Sequence, residues 1–148
     1  YWIGLIVIPA VLLFADPKAL RKVDYPLLFT FAAFFVFSGN MSRIPAVRDL
    51  FATLLEKDTL LFSVLSCQVI SNVPSAILLS QFTGNYPELL VGVNIGGVGT
   101  LIASLASLIT FREYTSHNPG QTRRYLALFS AFNFGFLAIL TSLMMLIR

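Results

Sequence analysis

Two short runs in this chain carry residue types that could hold an ion or a small polar ligand. The first is Ser71-Asn72-Val73-Pro74; the second is Gly92-Val93-Asn94-Ile95-Gly96-Gly97-Val98-Gly99-Thr100. Proline lacks an N–H and clashes with the preceding helical turn, yet it suits the first turn of a new helix, and a preceding Ser or Asn suits the cap. One helix is therefore expected to end near Ile70 and another to start near Pro74. In the second run Gly92, Gly96, Gly97 and Gly99 crowd together, each costing a helix about 1 kcal/mol relative to alanine. With Asn94 among them they predict local unwinding. Close helix packing through small residues is the other reading, and Thr100, Ser104 and Ser107 extend a small, polar stripe. A broken helix exposes amides that attract anions and carbonyls that can hold Na⁺. Ser71, Asn72, Asn94 and Thr100 would add side-chain oxygens and amide groups. Residues 59–87 and 89–111 contain no Asp, Glu, Lys or Arg, so a ligand there would meet dipoles and not formal charges.

The elements that must position these runs follow from charge and hydropathy. Hydrophobic residues make up 57% of the chain and charged ones 11%, with a mean hydropathy of +0.82. A soluble domain carries about 25% charged residues. Here the charges gather between uncharged stretches at 1–15, 25–42, 59–87, 89–111 and 125–147. Stretches of about 18 apolar residues can cross a bilayer as helices, so the expected fold is an all-α integral membrane protein, multi-pass. The net charge of +3 sits at the ends of apolar segments, as in membrane proteins. No basic stripe with interleaved aromatics is present, which argues against nucleic acid. Cys67 is a lone cysteine in an apolar run and reads as small packing. His117 reads as a surface residue of a polar loop at 112–124. No Ser/His/Asp set, carboxylate pair or metal cluster lies in the apolar runs, so the chain is not expected to be an enzyme and no cofactor is expected.

Spans are expected at about 1–15, 25–42, 89–111 and 125–147. Residues 43–57 place Ile44, Val47, Leu50, Phe51, Leu54 and Leu55 at helical spacing, an amphipathic helix that fits the membrane interface; a loop helix packed on the protein is the alternative. The stretch at 59–84 is too long for one crossing, and each arm around the Ser71–Pro74 interruption reaches about 18 Å, near mid-membrane. These lengths fit a re-entrant hairpin; a single kinked, tilted helix is the alternative. The opening segment lacks a basic leader and a cleavage site, so it reads as the remainder of a truncated membrane helix in a fragment of a larger protein.

The two runs, in this order and about 20 residues apart, resemble the ion transporter superfamily, which contains the citrate-transporter-like, divalent anion–sodium symporter and arsenite-permease families. The resemblance covers most of the chain from about Asp24 onward. It implies the C-terminal member of two inverted repeats, with the Lys18 loop cytoplasmic. A Ser-Asn-Thr hairpin tip contributes to the ion and substrate sites in those families, which carries over to Ser71 and Asn72. Val73 stands in place of that Thr, and the broken span lacks the proline of sodium-coupled dicarboxylate carriers. Both departures favour a branch nearer the arsenite-permease-like proteins. The expected binding residues are Ser71, Asn72, Val73, Pro74, Asn94, Gly96, Gly97, Gly99 and Thr100, with Na⁺ placed near Ser71, Asn72 and Gly97. The expected function is secondary active transport of a small inorganic or organic anion by alternating access, coupled to Na⁺ or H⁺. The alternatives are an anion channel and a non-transporting membrane subunit, with a membrane-embedded enzyme last. The expected partners are the lipid bilayer of the plasma (inner) membrane, the anion, the N-terminal repeat of the same protein and a second copy in a homodimer; nucleic acid is not among them.

Overall fold

A computed structural model describes residues 2–15, 18 and 22–148 of the chain. Contacts divide it into two units, residues 1–33 and 34–148. In the first unit, helix α1 runs Trp2–Ala15 with Pro9 inside it, and its Ile3, Ile6, Ile8 and Phe14 are exposed. From the sequence, Asp16-Pro17 is expected to end the first apolar segment and Lys18, Arg21 and Lys22 to mark a short basic loop; of these, Asp16, Pro17 and Arg21 lie outside the described residues. Helix α2, Tyr25–Met41, begins in this unit, where Asp24 Oδ1 accepts from the Leu27 amide at 3.0 Å and caps its first turn.

The second unit holds the end of α2 and everything after it. Helix α3 is Pro45–Lys57, with Pro45 in its first turn and its axis bent by 96° from α2. Asp58 then serves two helices at once. It ends α3, and its Oδ1 accepts from the Leu61 amide at 2.8 Å to cap α4, Thr59–Ile70. A single residue, Ser71, separates α4 from α5, Asn72–Leu79. The new helix therefore starts two residues before Pro74. Ser71 makes this compact joint by taking φ 73°, a conformation that costs a non-glycine residue on the order of 1–3 kcal/mol.

Helices α4 and α5 fold back as a hairpin. Thr59 at its start and Gly84 and Asn85 at its end line one cleft together with Arg148. Phe51 of α3 stacks on Phe82 at 4.9 Å and meets Phe62 edge-on at 5.9 Å, touching both legs near their open end. Leu55, Cys67, Leu79, Leu89 and Val93 form the core between α3, the hairpin and α6. Ser38 Oγ of α2 donates to the Ile77 carbonyl of α5 at 3.3 Å.

Helix α6 runs Tyr86–Gly96, three residues earlier than its uncharged stretch because Asn85 and Pro87 start it. A 3₁₀ turn covers Leu101–Ala103, and α7 follows at Leu105–His117. The expected loop at 112–124 is thus mostly helix, and only 118–121 link α7 to α8, Thr122–Ile147. Charge marks where a helix leaves an apolar zone and does not end its hydrogen bonding. Tyr125 packs against Phe111, Tyr114 and Phe129 at 5.5, 5.0 and 5.9 Å, which holds α7 to α8 through that stretch.

Among the described residues, α8 is the one helix long and apolar enough to cross a membrane by itself. Its 26 residues reach about 39 Å. None of its side chains is buried by the rest of this chain. The expected spans at 1–15, 25–42 and 89–111 are shorter or interrupted helices. At the open end of the hairpin, Arg148 joins Asp58 at 3.0 Å and Glu88 at 2.9 Å, so the end of α8 lies beside the starts of α4 and α6.

Candidate functional site

Close packing of α4 on α6 brings the two interruptions side by side. A Cβ at Gly92 would lie 2.7 Å from Ser63 Cβ and 2.8 Å from the Leu60 carbonyl; one at Gly96 would lie 2.8 Å from Cys67 Cβ. Ser63 and Cys67, like Gly92 and Gly96, are four residues apart and share one helix face. The backbones therefore touch, in the manner of small-residue contacts between membrane helices. For Gly92 and Gly96 the packing reading of the glycine run is the right one. Gly97 and Gly99 belong to the break.

At the break, one side chain that the sequence reading passed over organises the backbone. Gln68, in the last turn of α4, donates its Nε2 to the Gly96 carbonyl at 2.8 Å and to the Val98 carbonyl at 3.3 Å. The same nitrogen lies 3.1 Å from the Val64 carbonyl of its own helix. Gln68 Oε1 accepts from the Thr100 amide at 2.9 Å, while Thr100 Oγ1 donates to the Gln68 carbonyl at 3.1 Å. Gly99 is at φ 130°, and a Cβ there would strike Gln68 Oε1. Gly97 is in ordinary helical conformation, φ −65°; its need for glycine is spatial, since a Cβ would lie 2.9 Å from Asn72 Nδ2. The signal for Gln68 was present: a primary amide in an apolar helix must find partners or lose several kcal/mol of hydration, on the order of 2–7.

The far side of the break reaches the hairpin tip. Ser71 Oγ donates to the Ala103 carbonyl at 3.3 Å. Ser71 is the N-cap of α5 and Ser104 is the N-cap of α7, and neither side chain makes a capping hydrogen bond. Two helix N-termini thus begin within one hydrogen bond of each other. Asn72 turns back on itself, its Oδ1 accepting from the Val73 amide at 2.9 Å. Ser71, Asn72, Gly96, Gly97, Gly99 and Thr100 are brought together here, with Val73 exposed and Pro74 half-buried in the first turn of α5. Asn94 stands apart. It is exposed on α6, and its Nδ2 donates to the Leu90 carbonyl at 2.6 Å.

Among the described residues no group of three His, Cys, Asp or Glu side chains could hold a metal ion. Cys67 is buried between α4 and α6, with its Sγ 3.8 Å from the Val93 carbonyl. His117 is exposed, its Nδ1 3.4 Å from Glu113 Oε1. A cleft of 530 Å³ between α7 and α8, lined by Tyr114, Arg124, Tyr125, Phe129 and others, shares no residue with the break.

Comparison with known proteins finds relatives of matching character. Over 91 residues, 62% of this chain, it is 43% identical to an uncharacterized transporter of Methanocaldococcus jannaschii, of which it covers 26%. Over 112 residues, 74% of this chain, it is 35% identical to inner membrane protein YbiR of Escherichia coli, of which it covers 30%. The chain thus spans about a third or less of the length of these relatives. No family model matches it, and no solved structure does.

Proposed function

We propose that this chain is the C-terminal repeat of a multi-pass secondary transporter of the plasma or inner membrane, one that moves a small inorganic or organic anion by alternating access with Na⁺ or H⁺ as coupling ion. The observation that carries the reading is the Ser71–Ala103 hydrogen bond, which joins the starts of α5 and α7 where neither has a side-chain cap. Each helix N-terminus is equivalent to about half a positive charge, so two together suit one anionic group without burying a cation. Backbone interrupted in this way is tolerated at membrane depth only where protein or a polar cavity surrounds it. In this reading the hairpin re-enters the membrane and α6–α7 is a broken span. The repeat would complete its pocket with the N-terminal repeat of the same protein. The names of the two relatives, a transporter and an inner membrane protein, support the same direction.

The test is uptake by the full-length protein reconstituted in liposomes, with labelled sulfate, phosphate, succinate and citrate and imposed Na⁺ or H⁺ gradients. At least one anion should accumulate against its own gradient and saturate, and accumulation should stop when the driving gradient is collapsed. Flux that only runs downhill, insensitive to the imposed gradients, would instead identify a channel. Absence of flux for every anion in the panel would leave the chain as a non-transporting membrane subunit.

A further inference from the structure

A helix that breaks inside a membrane leaves carbonyl oxygens without donors, and those oxygens are the usual ligands of a bound cation at such breaks. Here the freed carbonyls of Gly96 and Val98 converge, with that of Val64, on one atom of the protein itself, Gln68 Nε2, at 2.8, 3.3 and 3.1 Å. The orientation of this amide is fixed by its neighbours. Three carbonyls surround the nitrogen and one amide N–H, that of Thr100, points at the oxygen at 2.9 Å; reversing the group would set oxygen against oxygen and N–H against N–H.

We infer that Gln68 stands in for a coupling cation at this break: its carboxamide N–H groups neutralise the carbonyl cluster that would otherwise bind Na⁺, and any cation that drives transport binds elsewhere in the protein. The link to transport rests on the function proposed above; the claim about the carbonyl cluster does not. The chemistry favours the substitution. An –NH₂ group offers two donors to three acceptors, and the same side chain supplies the acceptor that Thr100 needs, which a cation could not. The group is covalently tethered, so it stays in place when the ion concentration falls. Gly99 leaves room for it, since any side chain at φ 130° would displace the amide. The carbonyls of Gly96 and Val98, on either side of Gly97, are therefore occupied by the protein itself.

Two substitutions expose the cluster. Gln68→Ala removes the donor and leaves a space beside the carbonyls. Gln68→Glu keeps the shape but replaces the two N–H donors with an anionic oxygen, which completes a set of oxygen ligands of the kind hard cations prefer. The purified full-length protein, wild type and both variants, would be unfolded thermally in NaCl, LiCl, KCl or choline chloride at one ionic strength. In choline both variants should unfold at lower temperature than wild type. Gln68→Glu should then recover in a saturable, cation-selective way, beyond whatever response the wild type shows, and Gln68→Ala should recover less. If both variants respond to the cations as the wild type does, the carbonyls are not a cation site in waiting and the inference fails. Unfolding is read without any substrate, so a protein that proves not to transport would refute the proposed function and leave this result standing. If Gln68→Glu cannot be purified, Gln68→Ala alone decides by the same criterion.

Discussion

Replacing Gly99 with alanine should be the most damaging single methyl group in the break. Gly99 has φ 130°, and the added Cβ would collide with Gln68 Oε1. The backbone conformation costs an L-residue about 1–3 kcal/mol. Displacing the Gln68 amide leaves the Gly96 and Val98 carbonyls and the Thr100 amide without partners, at roughly 1–3 kcal/mol for each one that water cannot reach. With the backbone part the loss is at least about 2 kcal/mol, large beside an ordinary surface change. The two parts can be separated by a double-mutant cycle with Gln68→Ala, because the collision vanishes once the long side chain is gone while the backbone cost remains. Chemical denaturation of the full-length protein in mild detergent would supply the four stabilities, with Gly135→Ala as a control, since nothing lies within 4 Å of its Cβ. Gly99→Ala should lose stability and uptake together, and its penalty in the Gln68→Ala background should shrink by about 1–3 kcal/mol. Strictly additive penalties would refute the claim that Gln68 and the unwound segment act as one unit. Wild-type stability of Gly99→Ala would refute the described backbone as well.

Gly92→Ala and Gly96→Ala place their methyl groups against the backbone and Cβ atoms of α4 and should each destabilise by about 1–3 kcal/mol through overpacking, measured by the same denaturation; an increase in stability from better helix propensity would contradict the close α4–α6 contact. Asn72→Ala should reduce uptake far more than it reduces folded protein in the membrane. Asn94, bonded within its own helix, should matter less unless it faces the rest of the transporter, and equal losses at both positions would enlarge the site to include the exposed face of α6. Single cysteines near Asp58 and near Asn85, with Cys67 replaced, should react with an impermeant thiol reagent from the same side of the membrane; labelling from opposite sides would show that the hairpin does not re-enter.

The parts of the fold written in local chemistry were legible in the sequence. Pro45, Pro74 and Pro87 lie in the first turns of α3, α5 and α6, Asp58 and Asn85 cap α4 and α6, and the crowding of glycines marks the neighbourhood of the break, although Gly92 and Gly96 are still helical. Contacts between distant segments were not. Whether a glycine serves packing or unwinding depends on what faces it: Ser63 and Cys67 for Gly92 and Gly96, Asn72 and Gln68 for Gly97 and Gly99. That difference has no periodic signature. For Gln68 the sequence shows that a primary amide in an apolar helix needs partners but not which ones, since they lie 28 to 32 positions away in the chain. The length of α7 was underestimated because Arg112 and Glu113 look like a loop until the ring contacts of Tyr125 with Phe111 and Tyr114 are seen.

The single residue between α3 and α4 constrains how this chain could be edited. Asp58 is the C-cap of one helix and the N-cap of the next, so an inserted residue there must unwind one or the other, and every later residue of the hairpin would shift its register against α6. Ser71 imposes the same condition at the hairpin tip. The link at 118–121, by contrast, is exposed or half-buried, and a methyl group at Gly120 would meet nothing within 4 Å. Length changes, epitope tags and fluorescent reporters should therefore be accepted at that link and rejected at the two joints. Homologous sequences, once aligned, should show gaps distributed in the same way.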